Sequence, residues 1–276
     1  MIKIIADSSS DVLSLKEVPF ESVPLKIITP EKEYIDNKDL DVSQMVGELL
    51  TLNDKTKTAC PSVGDWLEAF GDSEKVFCVT ITSGLSGSYN SAVIAKREYE
   101  EKYPDREVFV IDSLSAGPEL TLIIEKLEEF ILQGKDFSDI CKEIKEYQKK
   151  TGLAFMLESL KNLANNGRVN KIVAKAVGVL GIRIVGKASD VGTLEQLSKN
   201  RGEKNGIAAL FETMKNLGYN GGKVRIDHCN NENGAATLEE LIKAEFPSSD
   251  VGIHRCRGLC SFYAEKGGIL VGFEKE

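Results

Sequence analysis

The chain has 276 residues, 42% apolar and 28% charged, which suits one large or two modest globular domains and excludes a disordered chain. Its net charge of −8 opposes a nucleic-acid or anionic-membrane surface. No apolar run approaches the 18 or so residues of a spanning helix, and Met1 to Asp7 reads as a first strand without the basic start of a signal peptide, so a cytoplasmic protein is expected.

Strand and helix signals alternate along the chain, the pattern of an α/β protein built mainly on parallel sheets. Ile2 to Ile5, Lys75 to Ile81 and Val108 to Ile111 are short apolar runs followed by polar or glycine residues. Asp41 with Gln44 forms a capping-box pattern ahead of Met45, Val46, Leu49 and Leu50, and Ser62 with Asp65 forms one ahead of Trp66, Leu67 and Phe70. Helical stretches from Glu119 to Gln133 and from Phe137 to Lys149 are expected to cover one sheet face. The stop at Lys149-Lys150-Thr151-Gly152 divides an N-terminal α/β domain, 1–150, from a C-terminal one, 151–276. In the second, Leu153 to Leu157 reads as a strand, Leu160 to Asn165 as a short helix stopped at Asn166-Gly167, and Lys171 to Leu180 as a helix ending at Gly181. Ile182 to Val185, Val224 to Asp227, Val251 to His254 and Ile269 to Phe273 are strand candidates, with helices at Gly206 to Leu217 and Ala236 to Phe246. No internal repeat or low-complexity segment interrupts this pattern.

Cys60, Cys78, Cys141, Cys229, Cys256 and Cys260 are scattered. Only Cys256 and Cys260, with nearby His254, come close to a metal-ligand spacing, and reduced thiols without a metal are expected. Thr80 to Ala92 is the most informative segment. It leaves a strand, turns through Gly84 and Gly87 and enters a helix, the place where open α/β sheets hold ligands. The hydroxyls of Ser83 and Ser86, with free amides at the helix start, suit a carboxylate or a phosphate, although a plain capping turn has the same composition. Thr58-Ala59-Cys60-Pro61-Ser62 precedes another helix that could converge on the same crevice.

Gly84-Leu85-Ser86-Gly87-Ser88 is one glycine short of a nucleophile elbow, and a serine hydrolase using Ser86 would have to recruit His228 or His254. Asp7-Ser8-Ser9-Ser10-Asp11 follows a strand as a phosphatase aspartate would, but Ser9 stands where the second carboxylate belongs. A phosphate-binding Gly-rich loop with Lys and a dinucleotide fingerprint are both missing, so nucleotide binding is disfavoured. His228 is read as structural.

Asp7 to Asp11, Val23-Pro24-Leu25, Thr58 to Ser62, Ser83 to Ala92, Val110 to Ser113, and Lys161 to Leu163 through Asn166 to Val169 follow one another in an order that resembles the DegV family over essentially the whole chain. The resemblance implies a bacterial carrier whose two α/β domains enclose one long-chain fatty acid as ligand, with no cofactor and no catalytic residue. It implies that the carrier presents the carboxyl group to a separate fatty acid kinase. The family's carboxylate-binding threonine corresponds to Thr58, with Ala59 and Cys60 replacing the next two residues of its Thr-Ser-Gln-Pro motif. Its serine-rich turn corresponds to Ser83 to Gly87, with Ser86 the first choice for the carboxylate contact, Ser83 the second and Gly84 between them. Its Gly-Arg turn corresponds to Gly167-Arg168-Val169, where Arg168 would position the ligand or the kinase. Where the family has a histidine followed shortly by Gly-Pro-Gly, this chain has Tyr263-Ala264-Glu265-Lys266-Gly267-Gly268: Tyr263 replaces the histidine and Glu265 is expected to bring a negative charge towards the carboxylate end, which bears on ligand type and kinase partnership. A sensor or carrier of another small lipid-like molecule, working without a kinase, is the alternative. Phe155, Met156, Leu163 and the helix over Ile172 to Leu180 are the candidates for lining the lipid tunnel.

Overall fold

The computed structural model describes residues 2–52, 56–169 and 181–276, so the helix expected over Lys171 to Leu180 lies outside the described residues. One sheet is wholly parallel, with strand order β2-β1-β6-β7. Its strands are β1 (Ile2–Asp7), β2 (Phe20–Val23), β6 (Lys75–Thr80) and β7 (Glu107–Asp112). Alternation along β6 sends Phe77 and Val79 to one side and Val76 and Cys78 to the other, because successive strand residues face opposite ways. The first side is covered by α4 (Pro118–Leu132) and α5 (Phe137–Gln148), the second by α2 (Val63–Phe70) and α3 (Ser88–Lys102). Both faces being buried, the strands read as continuous apolar runs.

A three-stranded antiparallel sheet, β4-β3-β5, lies outside the expected pattern. It consists of β3 (Lys26–Ile28), β4 (Glu33–Ile35) and β5 (Lys57–Ala59), and Val23-Pro24-Leu25 leads into it from β2. α1 (Val42–Thr51) follows β4. Asp41 caps α1 by accepting from the Gln44 amide, but the Gln44 side chain turns to Glu48, so only half of the expected box forms. Ser62 and Asp65 form the complete box at α2.

The second large sheet departs from the expectation of mainly parallel strands. Its order is β10-β9-β8-β13-β11-β12, and only β11 and β12 run parallel. The members are β8 (Thr151–Leu157), β9 (Ile182–Ala188), β10 (Leu194–Arg201), β11 (Val224–His228), β12 (Val251–Arg255) and β13 (Ile269–Glu274). Local sequence does not separate the two arrangements, because strands buried on both faces carry the same apolar runs in either direction. α7 (Glu203–Asn216) and α8 (Glu232–Glu245) pack on one face against Ala154, Met156, Ile226 and Val271. α8 starts four residues earlier than its apolar pattern suggests, because Asn231 caps it by accepting from the Gly234 amide. α6 (Lys161–Asn165) and α9 (Gly258–Ala264) complete the described helices.

α4 belongs to both large sheets. Besides covering the parallel sheet, its first turn lies directly on β13, where a Cβ at Gly272 would fall 2.5 Å from the Pro118 and Glu119 backbone. Arg225 on β11 forks onto Glu125 of α4 at 2.7 and 2.8 Å, and Thr151 donates to the buried Glu119 at 2.7 Å.

At the carboxyl ends of β1 and β6 the buried Asp7 side chain gathers four donors. Its Oδ1 accepts from the Ser9 amide and hydroxyl, and its Oδ2 accepts from the Ile81 amide at 2.9 Å and the Ser88 hydroxyl at 2.6 Å. Burial raises its pKa against the opposing pull of these bonds. Both oxygens are thus occupied in shaping the loop between β6 and α3, and Asp7 is a structural residue rather than a phosphatase nucleophile. Replacing Asp7 by Ala would strand these donors in a dry interior. The Asp7→Ala protein is expected to lose about 3 kcal/mol or more in urea unfolding, and a loss under about 1 kcal/mol would contradict this role.

Candidate functional site

A cavity of about 310 Å³, partly open to solvent, lies where the loops at the carboxyl ends of the parallel sheet face the second large sheet. One wall comes from β8. Leu153, Phe155 and Leu157 line it, whereas Ala154 and Met156 point to the opposite face, as period-two alternation requires. Of the expected lining residues, Phe155 and Leu163 are present, Met156 packs under α7 instead, and 172–180 lie outside the described residues. Leu270 on β13 stands directly across from Phe155 in the same wall. The Phe155 ring lies over Gly186 on β9, where a Cβ would come within 2.4 Å of it. Sequence reading overlooked Leu25, Leu85, Leu194, Leu259 and Leu270; the alternation of β8 identifies its own wall residues, but nothing local marks the others.

The polar groups cluster on a different part of the wall. Thr58 sits in the middle of β5, opposite Ile27, and its Oγ1 is 2.8 Å from the Tyr263 hydroxyl on α9. Burial raises the Tyr263 pKa, with the Thr58 bond and the Arg168 charge pulling it back. The phenol therefore keeps its proton at neutral pH and remains a donor. The Arg168 guanidinium lies 6.0 Å from the centre of the Tyr263 ring, and its nitrogens donate to the carbonyls of Leu85 and Asn166. Those bonds fix the cation beside the cavity while leaving its charge uncancelled by either carbonyl. Ser86 also lines the cavity, its Oγ accepting from the Ser88 amide at 3.2 Å.

The structure thus brings Thr58, Ser86, Arg168 and Tyr263 to one cavity. Ser83 and Gly84 lie outside its lining, on the exposed side of the turn. The Ser83 amide donates to Asp112, and Gly84 abuts the Val191 and Gly192 backbone of the β9–β10 turn. Glu265 also points elsewhere. Its carboxylate accepts from the Asn162 amide at the start of α6 at 3.0 Å, and burial raises its pKa. The negative charge expected near the ligand end is instead occupied in holding α6.

A triad on Ser86 has no base. Neither of the chain's two histidines lines the cavity: His228 accepts the Asn231 amide at Nδ1, and His254 faces Asp227. All six cysteines are free, and burial holds Cys260, the deeper of the two cavity thiols, well above its ordinary pKa. No group of three or more His, Cys, Asp or Glu side chains that could hold a metal occurs among the described residues. No described helix is long and apolar enough to cross a membrane. The arrangement is an apolar cavity with hydroxyl donors and one cation at a single patch, suited to an amphiphile with an anionic head.

Known proteins carry the same architecture. A Streptococcus pneumoniae protein described as DegV domain-containing is 45% identical over 276 residues, covering 99% of this chain and 98% of its own. A DegV family protein from Eubacterium eligens, solved loaded with heptadecanoic acid, superposes with a TM-score of 0.98 at 44% identity and full coverage of both chains. The Streptococcus pneumoniae Fatty Acid Kinase (Fak) B3 protein, solved with linoleic acid, gives a TM-score of 0.98 at 44% identity, covering 100% of this chain and 99% of that one. The family model described as "Uncharacterised protein, DegV family" matches residues 1–276, and the chain belongs to the DegV family.

Proposed function

We propose that this protein is a cytoplasmic carrier that binds one long-chain fatty acid between its N-terminal α/β domain, 1–150, and its C-terminal one, 151–276. The carboxylate is presented to a separate fatty acid kinase, and the carrier performs no chemistry itself. The observation that carries the reading is the cavity's division into an apolar wall from β8 and β13 and a single polar patch of Thr58, Ser86, Tyr263 and Arg168. The relatives solved with heptadecanoic and linoleic acids support the ligand class, and the Fak B3 relative supports the kinase partnership.

Tail and head contribute differently. Burying about 14 methylenes at roughly 0.8 kcal/mol each offers on the order of 11 kcal/mol before entropy costs, whereas a hydrogen bond to a charged group nets about 1.5 to 3. Affinity comes from the wall and orientation from the hydroxyls. Tyr263 serves as a neutral donor here. With its proton retained, it can hold Thr58 while Thr58 turns its own hydroxyl hydrogen to the carboxylate, or give its hydrogen to the ligand directly. The kinase-free sensor reading draws its support from this same residue, since the tyrosine brings no charge of its own at neutral pH.

Native mass spectrometry of the purified protein, followed by organic extraction, tests the ligand. A stoichiometric fatty acid is expected, and a reproducibly empty protein that also refuses added fatty acid would overturn the reading. Tyr263→Phe is expected to weaken fatty acid binding about tenfold, the worth of one hydrogen bond to a charged group, as measured by calorimetric titration. For Ser86→Ala, acyl phosphate formation with the kinase should fall more than lipid retention does. Complete loss of lipid in that variant would count against the division of labour, and tight lipid binding without any acyl phosphate in the unaltered protein would favour the sensor.

A further inference from the structure

A row of side chains crosses the six-stranded sheet on its cavity face. Consecutive cross-strand partners are Gly186, Phe155, Leu270, Asp227 and His254, and directly opposed residues share a face. The row begins in the cavity wall and ends at His254, whose side chain is 53% exposed. Between them Asp227 is buried, 1% exposed. Its Oδ1 lies 3.6 Å from His254 Nδ1, while its Oδ2 is shut away from solvent without a hydrogen-bond donor.

Asp11 approaches from the other sheet, on the loop that follows β1, with a left-handed φ of 59°. Its Oδ1 accepts from the Arg257 amide at 2.9 Å, and its Oδ2 is likewise enclosed and lacks a donor. The two carboxyl groups are within hydrogen-bonding reach of each other. An ionised carboxylate only accepts, so two neighbouring orphan acceptors are both satisfied by one proton placed between them.

The surroundings indicate which residue holds that proton. Burial, then the negative charges of Asp227 and Asp36, push the Asp11 carboxyl well above the carboxylate range. Asp36 itself accepts from the Gly258 and Leu259 amides. Asp227 is also raised by burial, but His254, the Asp11 bond and Arg225 draw it back. Arg225 is committed to Glu125 and Asp250, and Arg257 extends its side chain to the Asn37 carbonyl. The remaining titratable neighbours, Cys229, Cys256 and Cys260, are thiols that burial keeps protonated. His254 lies 3.6 Å from Asp227, whereas the other partners of Asp11 are the neutral Arg257 amide and Cys260 thiol, so the proton is placed on Asp11 and Asp227 accepts it.

We propose that Asp11 and Asp227 form a proton-held latch that fastens the loop behind β1 to β11 beside the cavity, with His254 as its route to solvent. Leu270 and Cys260, which line the cavity, are direct neighbours of the latch: Leu270 opposes Asp227 across the sheet, and the Cys260 thiol bonds the Ser9 carbonyl two residues before Asp11. Removing the proton leaves two enclosed negative charges face to face across the seam, and the seam loosens. For a carboxyl whose pKa is raised by folding, the stabilisation is complete below the unfolded value near 3.9 and is lost as pH rises through the folded value. Between those two values the folding constant falls about tenfold per pH unit, the slope of one proton, and above the folded value it levels off.

Asp11→Asn tests the latch, since an amide accepts from Arg257 and donates to Asp227 at every pH. Urea unfolding from about pH 5 to about pH 9.5 should show the unaltered protein losing stability with rising pH more steeply than the variant, by about one proton, until Asp11 ionises in the folded state. Equal slopes would overturn the latch. Carbon NMR of aspartate-labelled unaltered protein decides the matter even if the variant does not fold: a protonated Asp11 carboxyl carbon at neutral pH is expected, and two fully ionised signals at Asp11 and Asp227 would overturn it. The effect on ligand exit rests on the fatty acid reading, and is read from the release of bound cis-parinaric acid. Release should quicken with pH in the unaltered protein and not in Asp11→Asn, and a pH-independent release would overturn the link between latch and cavity. A protein that takes up no cis-parinaric acid would instead contradict the carrier reading, with the unfolding and NMR results still deciding the latch.

Discussion

The shape of the polar patch depends on the Asp7 carboxylate, buried where β1 ends. A charged or protonated group in that position is costly unless its oxygens are fully engaged, and here two amides and two hydroxyls engage them. Those donors are spread over the turn after β1, the end of β6 and the start of α3. One side chain therefore fixes the path of the loop carrying Ser86. The helix that starts at Ser88 has Gly87 as its N-cap and hence no side-chain cap, and it is tied down instead by the Ser88 hydroxyl reaching to Asp7.

Around that anchor the molecule separates two tasks by sheet. The parallel sheet supplies loops, which can approach a head group with backbone and hydroxyls, at the switch point between β1 and β6. The mixed sheet supplies a wall to which β8 contributes Leu153, Phe155 and Leu157. Tyr263 and Thr58 join the two, coming from a helix late in the chain and a small sheet early in it. The phenol and the Thr58 hydroxyl beside it are uncharged, and the fixed positive charge of the patch comes from Arg168 held on backbone carbonyls.

Much of this is legible in the sequence. The alternating element pattern, the caps at Asp41 and Ser62, and the glycine turn leaving β6 follow from local chemistry, and the ordered motifs carried the family. What local sequence withheld has definite causes. β10 reads Leu-Glu-Gln-Leu-Ser-Lys-Asn-Arg, without a clean apolar face, because it is an edge strand. The direction of β8 relative to β13 is a long-range property with no local marker. Met156 and Phe155 are equally apolar, and only the register of β8 decides which one faces the cavity. The contact of Thr58 with Tyr263 joins residues 205 positions apart, and the charge of Glu265 is legible in the sequence while its direction, towards the Asn162 amide, is not.

The position of β13 sets the order in which the mixed sheet can be assembled. It follows β8, β9, β10, β11 and β12 in the chain, yet lies between β8 and β11 and pairs with both. The hairpin of β9 and β10 and the parallel pair of β11 and β12 can form from nearby segments, but the sheet has no centre until a late strand threads between two early ones. Closing so long a loop is slow relative to local pairing. Until it closes, β8 and β11 each present an unpaired edge, and the first turn of α4 has no strand beneath it. A chain that has not yet paired β13 leaves the centre of this sheet open, and those two edges are where it is most exposed to pairing with a neighbour.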